Sequence, residues 1–460
     1  MSLNPDQFVR DLGRLYPRAD FLIAYSGGLD STVLIHLCSR GSDSESRKRF
    51  QAVHVDHGLQ PQSGQWAAQC MAACAEFDLG CRVVALDRFE LAGRSLEEAA
   101  RTARYAALVR FMTENTVLMT AQHRDDQAET ILLQLLRGSG LRGLSGMPEA
   151  AAFGPGVLLR PLLHYSRLSI RAYADHHALR WIDDPSNLDT VHDRNYLRQE
   201  VIPKIKKRWP AMDKTLARSG RHCATAQNSI DAWIEPRYRS IANRNRNTVL
   251  ISKLIKFDES EQQLILRHWI RCAGFRSPSA VKLLQIIREV VRAASDRVPK
   301  VQWDRTEIRR YRDELYLFRS PQSFDRDQVI AWNLRDPLAV PGLDGQIECH
   351  WAEPADEKPA FPAKRVSVRF RKGGEICRLP GRQGTRSLKK VLQELTVPPW
   401  ERNRIPLIYL EEELAAIADF ALCEPFQKLG IEIRWNRRRP RIDHNYTGRC
   451  GPSTIVQEPN

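Results

Sequence analysis

Several things are missing from this 460-residue chain. No apolar run approaches the roughly 20 residues that span a bilayer, so no membrane helix is expected. Met1-Ser-Leu-Asn-Pro5 lacks the basic and then apolar stretch of a signal peptide. Cys-x-x-Cys is absent despite ten cysteines, and Cys70, Cys74 and Cys81 have the spacing of a helix face rather than a zinc knuckle. Scattered thiols of this kind read as reduced, in a cytoplasmic protein. No internal repeat is evident, which argues against solenoids and propellers. Acidic residues are outnumbered, 55 against 70 Lys+Arg, giving a net charge of +15 and a pI near 9.5. That imbalance favours a polyanionic partner, most simply nucleic acid.

What is present is organised around Phe21-Leu-Ile-Ala-Tyr-Ser-Gly-Gly-Leu-Asp-Ser-Thr32. An apolar strand ends at Ser26-Gly27-Gly28, and an apolar helical pattern restarts at Val33. Glycines without a Cβ allow a sharp turn and close approach to a ligand. The free N–H groups and dipole of the following helix suit a phosphate. No lysine follows the glycines, which excludes the common NTPase loop, and the third glycine of a dinucleotide fingerprint is missing. An ordinary strand-to-helix turn capped by Asp30 is the alternative reading, and all five fixed positions after a strand make it the weaker one.

Between Asp20 and Thr120, β-like runs (Phe21–Tyr25, Ala52–Val55, Arg82–Leu86, Thr116–Met119) alternate with helical patterns near 31–39, 65–77 and 95–113. Ser95-Leu-Glu-Glu98 reads as a capping box. Such alternation predicts an α/β domain with a parallel sheet, whose ligands sit beyond the strand carboxyl ends. The Ser26 loop, Val55-Asp-His57 and Gln122-His123 lie at such ends and are expected to converge. For Asp56 and His57, nucleotide contact and a polar loop exit weigh equally. Arg101 and Arg104 share a helix face that reads as solvated on composition alone.

A second dense segment, Ala121-Gln-His-Arg-Asp-Asp-Gln-Ala-Glu-Thr130, opens another helix. Asp125 or Asp126 is placed to cap it. Capping does not account for His123, Asp126 and Glu129 together. Carboxylates beside a phosphate loop suit Mg²⁺ or a cationic substrate. A third cluster, Trp181-Ile-Asp-Asp-Pro-Ser-Asn187 followed by Arg194-Asn-Tyr-Leu-Arg198, is ambiguous: a turn and then a basic helix edge.

With these motifs assembled, the chain resembles the tRNA(Ile)-lysidine synthetases of the PP-loop ATP pyrophosphatase superfamily. The matching stretches are 26–31, 54–59, 103–105, 123–130, 136–140, 160–163, 183–187 and 194–198, in order through the first 200 or so residues. Gln122 departs from the family, which usually has a second histidine there. The resemblance implies a cytoplasmic ligase acting on the wobble cytidine of a CAU-anticodon isoleucine tRNA, with ATP, Mg²⁺ and L-lysine. The cytosine oxygen attacks the ATP α-phosphate, pyrophosphate leaves, the lysine ε-amine attacks carbon 2, and AMP departs. Carried onto this sequence, Asp30, His123, Asp126 and Glu129 are catalytic, with Asp30 also the metal ligand. Ser26, Gly27, Gly28, Leu29, Asp30, Ser31, Val55 and Arg104 hold the nucleotide. Asp126, Glu129, Asp183, Arg194, Asn195, Arg198, Arg386 and Lys389 contact lysine or tRNA.

The expected organisation is an adenine nucleotide alpha hydrolase-like PP-loop domain (1–215), a helical, tRNA-binding middle domain (216–335) and a small, basic α+β tRNA-binding domain (355–437). A disordered tail (438–460) follows, and a boundary is expected near Glu353–Pro362. Helical patterns stand out at Glu261–Cys272 and Ser279–Ala294. The C-terminal unit, with Arg371, Lys372, Arg382, Arg386, Lys389, Lys390 and Trp400, suits phosphate contact plus stacking. A homodimer stays open. Two other functions compete: a PP-loop tRNA sulfurtransferase, which normally needs paired cysteines, and a non-catalytic RNA-binding protein with a relict nucleotide fold.

Overall fold

A computed structural model describes residues 3–436, except 42, 59, 61, 87–95, 186–188, 244–246, 295–296, 321–322, 344, 352–364, 382–383 and 428–429. The Ser95 capping box, the boundary near 353–362 and the tail at 438–460 lie outside the described residues. Two compact units divide after Ser240.

The first unit opens with α1 (Pro5–Leu15), β1 (Asp20–Ala24), α2 (Leu29–Arg40), a short α3 (Ser44–Arg47), β2 (Phe50–Asp56), α4 (Ser63–Glu76) and β3 (Gly80–Ala85). It continues with α5 (Leu96–Val109), β4 (Thr116–Met119), α6 (Arg124–Leu136), a short α7 (Leu141–Leu144), and the hairpin of β5 (Ala150–Phe153) and β6 (Gly156–Leu159). Last come α8 (Arg167–His176), α9 (Asp193–Tyr196), α10 (Ile202–Arg208) and α11 (Met212–Ile241). The sheet order is β3-β2-β1-β4-β6-β5, parallel except for the β5–β6 hairpin. That hairpin was not expected; its turn is made by Gly154 at φ +56°.

Strand β1 buries Phe21, Leu22 and Ile23 in succession, because both of its faces are covered. Helix α2 is buried on every side, with Val33, Leu34, Ile35 and Leu37 fully inaccessible. Since β1 lies between β2 and β4, the strand order reverses there, and a crevice opens beyond the carboxyl ends of β1 and β4. The chain leaving β1 becomes the Ser26 loop, and the chain leaving β4 becomes the start of α6.

The second unit begins with β7 (Ala242–Asn243), β8 (Thr248–Leu250), α12 (Ile251–Leu254), α13 (Glu259–Cys272) and α14 (Ala280–Gln285). A π-helical stretch, Ile286–Val291, extends α14. The helices match the two periodic stretches of the sequence. With them comes an antiparallel sheet that periodicity did not reveal, ordered β7-β8-β11-β10-β9, where β9 is Lys300–Trp303, β10 Thr306–Tyr311 and β11 Glu314–Arg319. Charged residues hid the alternation: Glu307 in β10 is 4% exposed and is bonded to Arg309.

The remainder of this unit is α+β, with a five-stranded sheet built on Val366–Arg369, Leu407–Leu410 and Glu413–Ile417, and helix Leu388–Glu394. Trp400, expected to offer its ring for stacking, is used internally. It lies 5.8 Å from Phe318 in a stacked pair and 5.4 Å from Tyr316, with the Arg309 guanidinium 5.3 Å from its centroid. That ring is a packing element.

Candidate active site

The Ser26 loop is held by its own hydroxyls. Ser31 Oγ donates to the Gly28 carbonyl (3.0 Å), the Ser26 N–H donates to Ser31 Oγ (3.3 Å), and Thr32 Oγ1 donates to the Gly27 carbonyl (3.3 Å). Gly27 sits at φ +81°, and a Cβ there would meet Ile182 Cδ1 at 2.7 Å and Cys70 Sγ at 2.9 Å. Both conformation and space therefore require glycine. At Gly28 the nearest atoms a Cβ would meet are 3.6 Å or more away, so the loop mouth has room for a ligand group. Leu29 is buried and starts α2, whose first N–H groups lack main-chain acceptors by geometry. Ile182 donates its N–H to the Gly27 carbonyl (2.9 Å), tying the 181–184 segment to the loop.

At the mouth, Asp30 Oδ1 is buried and accepts no hydrogen bond among the described residues. Facing it is His123 Nε2, 3.6 Å away. His123, not Asp125 or Asp126, is the N-cap of α6: Nδ1 accepts the Asp126 N–H (3.3 Å), while Asp126 Oδ2 accepts the His123 N–H (3.0 Å). This corrects the expected cap, and the cause is reciprocity, since only the pair satisfies both donors. Because Nδ1 accepts, the ring proton sits on Nε2, toward Asp30 and toward Asp126 Oδ2 at 3.5 Å. Burial opposes a charge on His123, but Asp126, Asp30 and Asp125 outweigh it and raise its pKa above the usual 6.5.

Asp125 belongs to a different set of contacts. It accepts the Arg167 N–H (2.8 Å) and pairs with Lys206 Nζ (2.5 Å). Burial pushes its pKa up, but these donors prevail and hold it below the usual carboxylate range. Lys206 was not singled out from the sequence, and α-helical spacing gives no signal for it: at 100° per residue it falls about 120° around the axis from Arg194.

Asp126 and Glu129 share a face as expected, and Arg194 and Arg198 lie on them. Arg198 grips Glu129 bidentately, Nε to Oε1 at 2.7 Å and Nη2 to Oε2 at 2.9 Å, and reaches Asp126 Oδ1 at 3.1 Å. Arg194 Nε donates to Glu129 Oε2 (2.8 Å). Glu129 is 1% exposed, so the pairing is a buried network rather than a solvated edge.

The other expected residues are more dispersed. Arg104 donates to His57 Nε2 (2.8 Å), joining α5 to the end of β2. Val55 packs its side chain into the core, leaving only its main chain for a ligand. Asp183 accepts from Trp181 Nε1 (3.1 Å), and Asn195 donates to the Asp189 carbonyl (2.8 Å). Ser186 and Asn187 lie outside the described residues. Arg386 pairs with Glu394 (2.7 Å), and Lys389 is exposed, both in the second unit.

Burial, with Arg104 and His54 nearby, depresses the His57 pKa to about 4. His57 is then neutral at pH 7 and remains an acceptor for Arg104. An NMR titration of its ring should give a midpoint near 4; one near 6.5 would show that the contact does not persist. Between pH 6.5 and 4 the unfolded chain binds the extra proton, so this contribution to stability falls as pH falls.

Comparison with known proteins gives the family of the chain. A family profile described as PP-loop domain matches residues 4–205, and profiles for the TilS substrate binding domain and the TilS substrate C-terminal domain match 250–316 and 366–438. The tRNA(Ile)-lysidine synthase of Coxiella burnetii is 37% identical over 432 residues, covering 94% of this chain and 96% of that protein. The chain belongs to the tRNA(Ile)-lysidine synthase family. Relatives bearing the same name in Methylococcus capsulatus (38% over 441 residues, 95% of this chain, all of that protein) and Alkalilimnicola ehrlichii (39% over 431 residues, 92% and 95%) agree. Cys70, beneath the loop, is buried and its pKa is pushed up to about 12, which does not suit a sulfur-relay nucleophile at that position.

Proposed function

We propose that this chain forms lysidine: it activates the wobble cytidine of a CAU-anticodon tRNA(Ile) with ATP and joins L-lysine to carbon 2. The observation that carries the reading is the Asp30 carboxylate, whose Oδ1 lacks a hydrogen bond, at the mouth of the Ser26 loop and facing the Nε2–H of a buried His123. Such an oxygen fits a hard cation, and Mg²⁺ held by Asp30 would supply charge neutralisation at the phosphates. Loop N–H groups of α2 bind the phosphate oxygens, and His123 Nε2–H donates to charge developing there. Asp30 is the candidate base for the ε-ammonium, which must lose a proton before it can attack. Asp126, about 14% exposed at its side chain, offers lysine a carboxylate; Glu129 acts by holding Arg194 and Arg198 in place. Incubation with bulk tRNA, ATP and labelled amino acids, then mapping of the labelled nucleoside, tests the reading. Label from lysine in one cytidine-derived nucleoside is expected, and label elsewhere or from sulfur donors defeats it.

We assign tRNA contact to the basic second unit as well. Cutting the chain near Arg319 would strip Trp400 from Tyr316 and Phe318, so substitution is the cleaner probe. Changing the exposed Lys389 and Lys390 to glutamine should lower the log–log salt slope of tRNA binding by about 0.7–0.9 per lost phosphate contact. A salt series on both proteins measures it, and an unchanged slope would remove these lysines from the interface.

A further inference from the structure

A cavity of about 410 Å³ opens beside α6, lined by Leu132 of α6, Ile205 and Arg208 of α10, and Trp209, Met212 and Leu216 at the α10–α11 corner. Its floor is a packed apolar cluster that includes Met212, Leu132, Ile205 and Leu216. Trp209 is 62% exposed on a backbone held at both ends: its main-chain N–H donates to the Ile205 carbonyl (2.8 Å), and its main-chain carbonyl accepts from the Met212 N–H (3.0 Å). Lys204, Lys207 and Arg208, which precede it in α10, are all exposed, and the Arg208 guanidinium lies over one face of the indole, 6.0 Å from its centroid, which leaves the other face for a ligand. Basic residues at a helix C-terminus suit the dipole, which accounts for the cations. It does not account for an exposed tryptophan over an apolar cavity.

The corner is fastened to the active site at two points. Lys206 of α10 holds Asp125, and Asp213 of α11 holds Arg124 (2.6 Å), the residues directly after the His123 cap. Whatever seats on Trp209 is therefore registered against Asp30 and His123. An acidic peptide would use the cations and leave the ring unused. Duplex RNA offers phosphates but no free base face.

We propose that Trp209 is a stacking platform for an unpaired nucleotide of the substrate's anticodon loop, with Lys207 and Arg208 taking its flanking phosphates. The proposal rests on the tRNA-modifying reading above and deepens it. Reaching carbon 2 requires the wobble base to leave its stack, and a neighbouring base then loses its partner. A flat ring on a fixed stretch of backbone restores that stacking and holds the loop open.

The test uses full-length protein and a CAU anticodon stem-loop carrying 2-aminopurine at each loop position in turn. One position should be quenched on binding by wild type and by Trp209→Phe, and unquenched with Trp209→Ala. Affinity should fall about five- to 150-fold for Trp209→Ala, the range for one base–aromatic stack, and stay within about threefold for Trp209→Phe. Lys207→Ala/Arg208→Ala should reduce the salt slope by about 1.4, two single-strand contacts. The KM for ATP should not move. Wild-type protein that modifies tRNA while Trp209→Ala binds the stem-loop equally well overturns the platform alone. Wild-type protein that fails to bind the stem-loop overturns it together with the tRNA reading. If Trp209→Ala changes sedimentation with concentration but not RNA affinity, the patch is a contact between copies and the proposal is wrong.

Discussion

Asp30→Asn should fold normally and transfer lysine at least about a hundredfold more slowly, the usual scale for a charge-stabilising or proton-accepting group. The amide keeps the size of the side chain but puts a neutral oxygen or an NH₂ group where Oδ1 now lies buried without a hydrogen bond, opposite His123 Nε2. Two readouts separate binding from chemistry. Single-turnover transfer with preformed adenylated tRNA reports the proton-accepting role, and ATP–pyrophosphate exchange reports the phosphate role. Near-normal rates in both would remove Asp30 from the mechanism.

Glu129→Ala should be the most destabilising change in the site. Glu129 is 1% exposed and satisfies Arg198 bidentately and Arg194 through Nε. Removing one partner of a buried pair typically costs about 3–5 kcal/mol. The two guanidinium groups are 27% and 30% exposed at their side chains and can turn toward water, so the lower end applies, about 3 kcal/mol. For a unit of this size that corresponds to a fall in melting temperature of roughly 6–12 °C. Glu129→Gln keeps the shape and should cost less stability; by loosening the two arginines that also contact Asp126, it should raise the KM for lysine well above any change for ATP. Equal changes in both Michaelis constants would make Glu129 purely architectural.

The N-terminal half was largely legible in the sequence, for a physical reason. A parallel strand covered on both faces is a continuous apolar run, and the glycines after β1 answer a steric demand that is local in sequence. His123, Asp126 and Glu129 lie within one turn or two of each other, so their convergence could also be read. Asp125 could not be apportioned correctly, because its partners, Arg167 and Lys206, are brought in by distant elements. The same holds for Glu129, whose surroundings come from residues 65 and 69 positions away. In the second unit the sheet escaped notice because a buried Glu307 breaks the apolar alternation that would have announced β10. Trp400 misled by composition: an aromatic among basic residues signals RNA only if its faces are free.

Between α9 and α10 the helix widens into a π-helical turn, Leu197–Val201. An α-helix advances 100° per residue, so one residue more or less there would rotate everything downstream by that angle. Arg194 precedes the wide turn and Lys206 follows it, and both must face α6, one toward Glu129 and the other toward Asp125. The turn therefore sets the angular phase of the two contacts. Deleting a residue from it would leave Arg194 in place and swing Lys206, and with it Trp209, around the axis. Insertions and deletions here are a matter of phase rather than length, and a shortened turn would need a compensating change before residue 206 to bring the lysine back.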